Sequence, residues 1–229
     1  MKIGTDAVLL GAWASTADST LGEATHLRSI LDVGTGSGVI ALMMAQRFQH
    51  AQITAVEIDE DACREADNNF RASCWSSRLN VCQTDFRTFQ PEDVDSTFDL
   101  IVSNPPFFVT GHGADAPDMA RRDARQDSTL PLSALIKRSA DMLSPDGSLC
   151  LVLPAEREKE LKFQATLYKL NLRRICYVST VPTKPPRRIL TCLSPVSGPL
   201  SEEKFSIHTS DSDYTPEYIG LVNDFYLNM

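Results

Sequence analysis

Apolar and polar residues alternate along this chain in two distinct rhythms. Short β-branched and apolar runs at Ser29 to Val33, Gln52 to Val56, Leu79 to Gln83, Phe98 to Ser103 and Ser148 to Leu153 have the length and make-up of strands. Between them the spacing turns helical. Val39 to Phe48 and Asp61 to Arg71 read as helices, the second with Ala62, Ala66 and Phe70 on one face, and Leu132, Leu135, Ile136, Ala140 and Leu143 recur at helical intervals after a Pro131 suited to a first turn. Strands separated by helices pair in parallel through right-handed crossovers, so the pattern predicts an α/β fold with a doubly wound, mostly parallel, seven-stranded sheet. After Leu172 closely spaced strands follow: Arg174 to Val181, Arg188 to Leu193 and a short Phe205 to His208, with Pro182, Pro185 and Pro186 in the first connection. That predicts an antiparallel C-terminal hairpin closing one edge. Thr215 to Leu227 reads as a short helix or an irregular tail.

Two loops interrupt this pattern in a way that suggests chemistry. Ile30-Leu31-Asp32-Val33-Gly34-Thr35-Gly36-Ser37-Gly38 sets glycines between an apolar strand and a helix, where a ligand with polar or anionic groups can approach the backbone and the helix N-terminus. The G-x-G-x-G spacing departs from the dinucleotide fingerprint, because Val39 stands where that fingerprint has its third glycine, which weighs against a nicotinamide cofactor. Glu57 ends the second strand nineteen positions after Gly38, near the place where an acid grips ribose hydroxyls. Asp59 reads as a helix cap. Thr84-Asp85-Phe86 follows the third strand, and a carboxylate there can accept from an adenine amino group.

The fourth strand ends in Ser103-Asn104-Pro105-Pro106-Phe107. Prolines lack N–H donors and stiffen the backbone, so the Pro105 carbonyl and the Asn104 side-chain oxygen become fixed acceptors that suit an NH2 group. Phe107 can then lie against the flat face of a base. First and fourth strands are neighbours in most doubly wound sheets, which would bring this tetrad beside the glycine loop.

Charge narrows the partners. A formal net charge of -8 and a pI near 5.0 argue against coating nucleic acid through a broad basic surface, so any such contact must be local. Six scattered cysteines form no C-x-x-C pair and suggest neither a zinc site nor a disulfide framework, consistent with a reducing cytoplasm. No membrane-spanning stretch or signal sequence is apparent. With 229 residues and 42% apolar content, one domain over 1–229 is expected.

Together the glycine loop and the tetrad resemble the class I, Rossmann-like, S-adenosyl-L-methionine-dependent amino-methyltransferases, whose signature is (N/D)-P-P-(Y/F/W). The opening Met1-Lys2-Ile3-Gly4-Thr5-Asp6-Ala7-Val8-Leu9-Leu10-Gly11-Ala12-Trp13 is similar to that of the bacterial tRNA (adenine-N6)-methyltransferases acting beside the anticodon of a valine tRNA, and the similarity extends to Arg187-Arg188-Ile189-Leu190. Members of that family usually carry a segment before the K-x-G-T-D stretch at which this chain opens. The resemblance implies that Gly34, Gly36, Glu57 and the motif's Asp32 hold the cofactor. It also implies that Asp85 and Phe86 flank the cofactor's adenine, that Lys2, Gly4 and Thr5 lie near its methionyl end, and that Asn104, Pro105, Pro106 and Phe107 receive the target base.

For RNA, Arg121, Arg122 and Arg125 in a substrate loop over 111–127, and Lys184, Arg187 and Arg188, are the expected phosphate contacts. A base entering such a pocket must leave its stack, which is cheapest in a loop. Rival readings are an N5-glutamine methyltransferase acting on a protein such as a release factor, an rRNA adenine-N6 methyltransferase, a non-catalytic scaffold, and a dinucleotide oxidoreductase. The intact tetrad opposes the scaffold.

Overall fold

The computed structural model describes residues 4–17, 27–91, 97–106 and 130–226. Their strands are β1 (Ser29–Val33), β2 (Gln52–Glu57), β3 (Leu79–Gln83), β4 (Phe98–Ser103), β5 (Leu143–Pro154), β6 (Asn171–Ser179), β7 (Arg188–Ser194) and β8 (Ser201–Ser206). The helices are α1 (Thr5–Trp13), α2 (Val39–Arg47), α3 (Glu60–Ala72), α4 (Leu132–Met142), α5 (Glu158–Leu167) and α6 (Pro216–Val222). The strands form one sheet of order β3-β2-β1-β4-β5-β7-β6-β8, in which β7 alone runs antiparallel to its neighbours.

The sheet is doubly wound because its strands are apolar on both sides. Along β1 and β4, Ile30, Leu100 and Val102 pack into one core with α1, α2 and α3, while Leu31, Val33 and Ile101 pack into a second core with α4 and α5. This is the period-two alternation of a strand covered on both faces. Asp59 caps α3 by accepting from Ala62 N at 2.8 Å, and Ala62, Cys63, Ala66 and Phe70 form that helix's buried face.

Two features differ from the expectation. The sheet has eight strands among the described residues, because the short strand expected at Phe205 to His208 forms at Ser201–Ser206 and adds to β6 in parallel beyond the hairpin, and β7 inserts between β5 and β6. A helix, α1, occupies Thr5–Trp13, where no periodicity announced one, since Ala7 through Trp13 are all buried.

The order reverses at β1, which pairs with β2 on one side and β4 on the other, and ligands bind outside the carboxyl ends at such a switch point. There Val33 pairs with Ser103, and the Ser103 hydroxyl donates to the Val33 carbonyl at 2.8 Å. This buried bond fastens the two strand ends from which the glycine loop and the Asn-Pro-Pro segment depart. Ser103→Ala is expected to lower the unfolding free energy by about 1 kcal/mol, read from urea denaturation. An unchanged midpoint and slope would show that the bond contributes nothing.

Candidate active site

The loop after β1 turns through three left-handed glycines, Gly34, Gly36 and Gly38, with φ of 70°, 58° and 85°. At Gly38 an added Cβ would also meet the Phe70 ring at 2.5 Å. At Gly34 the limit is the backbone alone, because no described residue lies within 4 Å of an added Cβ. The loop is tied to β2 by Gly34 N and Thr35 N, both donating to the Val56 carbonyl at 2.8 and 3.2 Å.

Two acids hold the loop from opposite sides. Glu57, at the end of β2, accepts from Gly36 N at 2.9 Å through Oε2 and from Ile58 N and Asp59 N at 2.9 and 3.0 Å through Oε1. A carboxylate has about four acceptor positions, so one remains on Oε2 for a ligand hydroxyl. Asp32 behaves differently. It is wholly buried, and its Oδ2 accepts from the Thr35 hydroxyl at 2.6 Å and from Ala41 N at 3.1 Å, while Oδ1 has no hydrogen-bond partner among the described residues. Expected among the cofactor-binding residues, Asp32 instead locks the turn to the first turn of α2 from within.

At the end of β3, Thr84 N donates to the Glu57 carbonyl at 2.9 Å, so this loop joins the same edge. Asp85 Oδ1 accepts from Arg87 N at 2.8 Å and Oδ2 from Arg87 Nε at 2.7 Å. The Arg87 guanidinium holds the Asp85 carboxyl below the usual range. An adenine amino group would share that carboxylate with Arg87, a partner that sequence reasoning missed although it lies only two residues on. The Phe86 ring is buried in the core beside Val33 and Val56, so it supports the loop from beneath and offers no open wall.

After Ser103, Asn104 is half-buried, Pro105 buried and Pro106 exposed. Phe107, Lys2, and the loop with Arg121, Arg122 and Arg125 lie outside the described residues. Gly4 caps α1 without a side-chain bond, and both Gly4 and Thr5 are exposed. Asp6 accepts from Arg188 Nε at 2.8 Å, and Arg188 pairs with Pro154 at the carboxyl end of β5. This ion pair brings the start of α1 to the edge that carries the glycine loop.

The pair also engages Arg188, one of the expected phosphate contacts. Its Nε serves Asp6, its Nη1 donates to the Arg187 carbonyl at 3.1 Å, and the side chain is half-buried. Arg188 is a staple between β7 and α1. Lys184 and Arg187, in the β6–β7 connection at the same edge, are exposed.

Comparison with known proteins gives this arrangement a context. Residues 18–173 match the methyltransferase small domain family. A protein of Tolumonas auensis named tRNA1(Val) (adenine(37)-N6)-methyltransferase is 42% identical over 100% of this chain and 91% of its own length. A Klebsiella pneumoniae protein of the same name is 38% identical over 100% of this chain and 89% of its own. Among solved structures, a predicted O-methyltransferase from Agrobacterium tumefaciens superposes with a TM-score of 0.71 at 18% identity, covering 96% of each chain, which is a likeness of fold.

Burial of Asp32 has a measurable consequence. Desolvation, reinforced by the nearby charge of Glu57 and only partly offset by the bonds from Thr35 and Ala41, raises its pKa from 3.8 to about 7. Below the lower value both the folded and unfolded chains hold the proton, and the group is neutral toward stability. Between the two values the unfolded chain gives up its proton first, so stability falls as pH rises, levelling above the upper value. Asp32→Asn should therefore flatten the pH dependence of stability in that window, removing a decline on the order of a few kcal/mol. Denaturation of both proteins at about pH 5 and about pH 8 checks this, and parallel declines would show that another group titrates.

Proposed function

The chain belongs to the methyltransferase small domain family, and on that premise we propose that it transfers a methyl group from S-adenosyl-L-methionine to N6 of an adenine in tRNA, the adenine at position 37 of a valine tRNA. The observation that carries this reading is the pairing of Val33 with Ser103, because it sets a glycine cradle and an Asn-Pro-Pro segment side by side at one switch point. A tRNA substrate places the enzyme's work in the cytoplasm.

The residues at the edge suit that cofactor. Gly34, over which no described side chain reaches, suits a ligand close to the backbone, the remaining acceptor position on Glu57 suits a ribose hydroxyl, and Asp85 stands one strand further out. Gly4 and Thr5 at the start of α1 reach the same edge through the Asp6–Arg188 pair. When bound, S-adenosyl-L-methionine supplies an electrophilic sulfonium methyl, and S-adenosyl-L-homocysteine is the product.

The adenine amino lone pair is delocalised into the ring and is a poor nucleophile. The Asn104 side-chain oxygen and the Pro105 carbonyl are assigned to accept its two N–H groups, favouring the tetrahedral nitrogen over the planar one. No strong base is needed beforehand. Phe107 is assigned to the face of the ring, so positioning and oriented acceptors carry the catalysis, and the proton departs to solvent.

Incubation with labelled cofactor and unmodified bulk tRNA, followed by nucleoside mass spectrometry, is expected to yield N6-methyladenosine. Label in protein glutamine with none in RNA would replace this reading with the glutamine one. Asn104→Ala is expected to lower kcat by roughly 100-fold or more while leaving cofactor affinity intact, by analogy with loss of one oriented hydrogen-bond partner at a reacting centre. An unchanged rate would remove Asn104 from the chemistry.

A further inference from the structure

The edge that carries the cleft continues through β5 and β6 to β8, since these strands run parallel to β4 or to one another. Beyond Ser206 the chain keeps to β6: Ile207 N donates to the Ser179 carbonyl and His208 N to the Thr180 carbonyl, both at 2.9 Å. A tight turn follows, closed by Thr209 N donating to the Asp213 carbonyl at 2.8 Å, and Tyr214 returns antiparallel to His208.

The His208 and Tyr214 rings stack with centroids 4.9 Å apart and planes 21° apart. Tyr214 leans in turn on Tyr218, centroids 5.1 Å apart, and Tyr218 is 2% exposed in the core. The inner ring is further fixed by Thr215, whose hydroxyl accepts from Tyr218 N at 3.2 Å. The anchored Tyr218 ring thus supports Tyr214, a residue that stays 45% exposed. The three rings run from the core to an aromatic pair at the surface of the substrate edge.

We propose that the His208–Tyr214 stack is a platform for an unpaired base of the RNA substrate, a loop nucleotide near the target adenine. This rests on the reading of the chain as an RNA methyltransferase. Four strand spacings separate β4 from β8, about 19 Å at 4.8 Å each, which is a span of a few nucleotides. On the other flank of β6, Arg187 N donates to the Val178 carbonyl at 2.9 Å, so Arg187 starts about two strand spacings from the platform, roughly 10 Å. Exposed Lys184 lies in the same connection.

Charge sets the orientation of the strand. Asp211 and Asp213 are exposed in the turn beside the rings and repel phosphates, so the base faces the aromatic pair while the backbone lies toward Lys184 and Arg187. Stacking needs no ions, and it suits a chain whose net charge of -8 denies it a broad electrostatic grip.

The test compares Tyr214→Ala and Tyr214→Trp with the natural chain on unmodified tRNA. Tyr214→Ala should raise the KM for tRNA roughly five- to hundred-fold, leaving kcat at saturating tRNA and the Kd for S-adenosyl-L-methionine unchanged, and Tyr214→Trp should restore the KM. The dependence of KM on salt should keep its slope in Tyr214→Ala, whereas Arg187→Ala should flatten it. In the natural chain, tRNA should protect Tyr214 from nitration by tetranitromethane, and cofactor alone should not; this decides the matter even if a variant folds poorly. An unaltered KM in a folded Tyr214→Ala, or nitration indifferent to tRNA, overturns the platform. If such a result comes with normal tRNA methylation by the natural chain, the platform alone fails; if the natural chain methylates no RNA, the functional reading fails and takes the platform with it.

Discussion

Val33 and Ser103 stand opposite one another at the ends of two hydrogen-bonded strands, and what the cleft can do depends on that register. A slip of one residue would shift one loop past the other by about 3.3 Å and turn its side chains to the opposite face. A misplacement of about 1 Å between reacting groups can already cost on the order of 100-fold in rate, so a slip of that size would abolish the alignment. Register is secured in the ordinary way, by burial of both faces: Ile30, Leu31, Leu100, Ile101 and Val102 are all fully buried. The Ser103 hydroxyl then fixes the last rung, where strand pairing would otherwise fray into loop.

Burial also divides labour between two carboxylates of the glycine loop. Glu57 accepts from three backbone N–H groups and retains some contact with solvent, so it can meet a ligand. Asp32 has one hydroxyl and one N–H on the same oxygen, no hydrogen-bond partner among the described residues for the other, and no solvent. Its proton is correspondingly hard to remove. Two acids in one motif therefore differ in role because their surroundings differ, the first holding the loop open to a guest and the second holding it shut from behind.

The elements that a periodic pattern reveals were legible in sequence, and those it hides were not. β1, β3 and β4 have the expected bounds; for β1 and β4 the reason is a buried run of strand length that ends at a glycine loop or an Asn-Pro-Pro segment. Helix α1 escaped because it is apolar on every side, and an element without a polar face has no rhythm to detect. Edge strand β8 was expected only at Phe205 to His208, because Glu202, Glu203 and Lys204 give its first half the charge of a loop, which is how natural sheets blunt an edge. At the site, motif spacing located the glycines, Glu57 and the Asn-Pro-Pro segment, but it could not say which way a side chain points. Asp32 and Phe86 turn inward and Arg188 turns to Asp6, outcomes set by tertiary partners that lie far away along the chain.

The fate of Arg188 belongs to a wider pattern. Arg47 donates to the Gly11 and Ala14 carbonyls, Arg78 to those of Ala45, Phe48 and Ala51, Arg138 to that of Phe89, and Arg174 to the Ser15 hydroxyl beneath the Trp13 ring. Each of these cations satisfies backbone or side-chain acceptors within the fold. In a chain with more acidic than basic residues, cations committed in this way are withdrawn from any phosphate surface. Affinity for a polyanion must then come from few charges in the right place together with contacts that do not depend on charge. That constraint favours a substrate whose unpaired bases can be grasped by shape and stacking over a duplex, whose bases are hidden and whose phosphates dominate its surface.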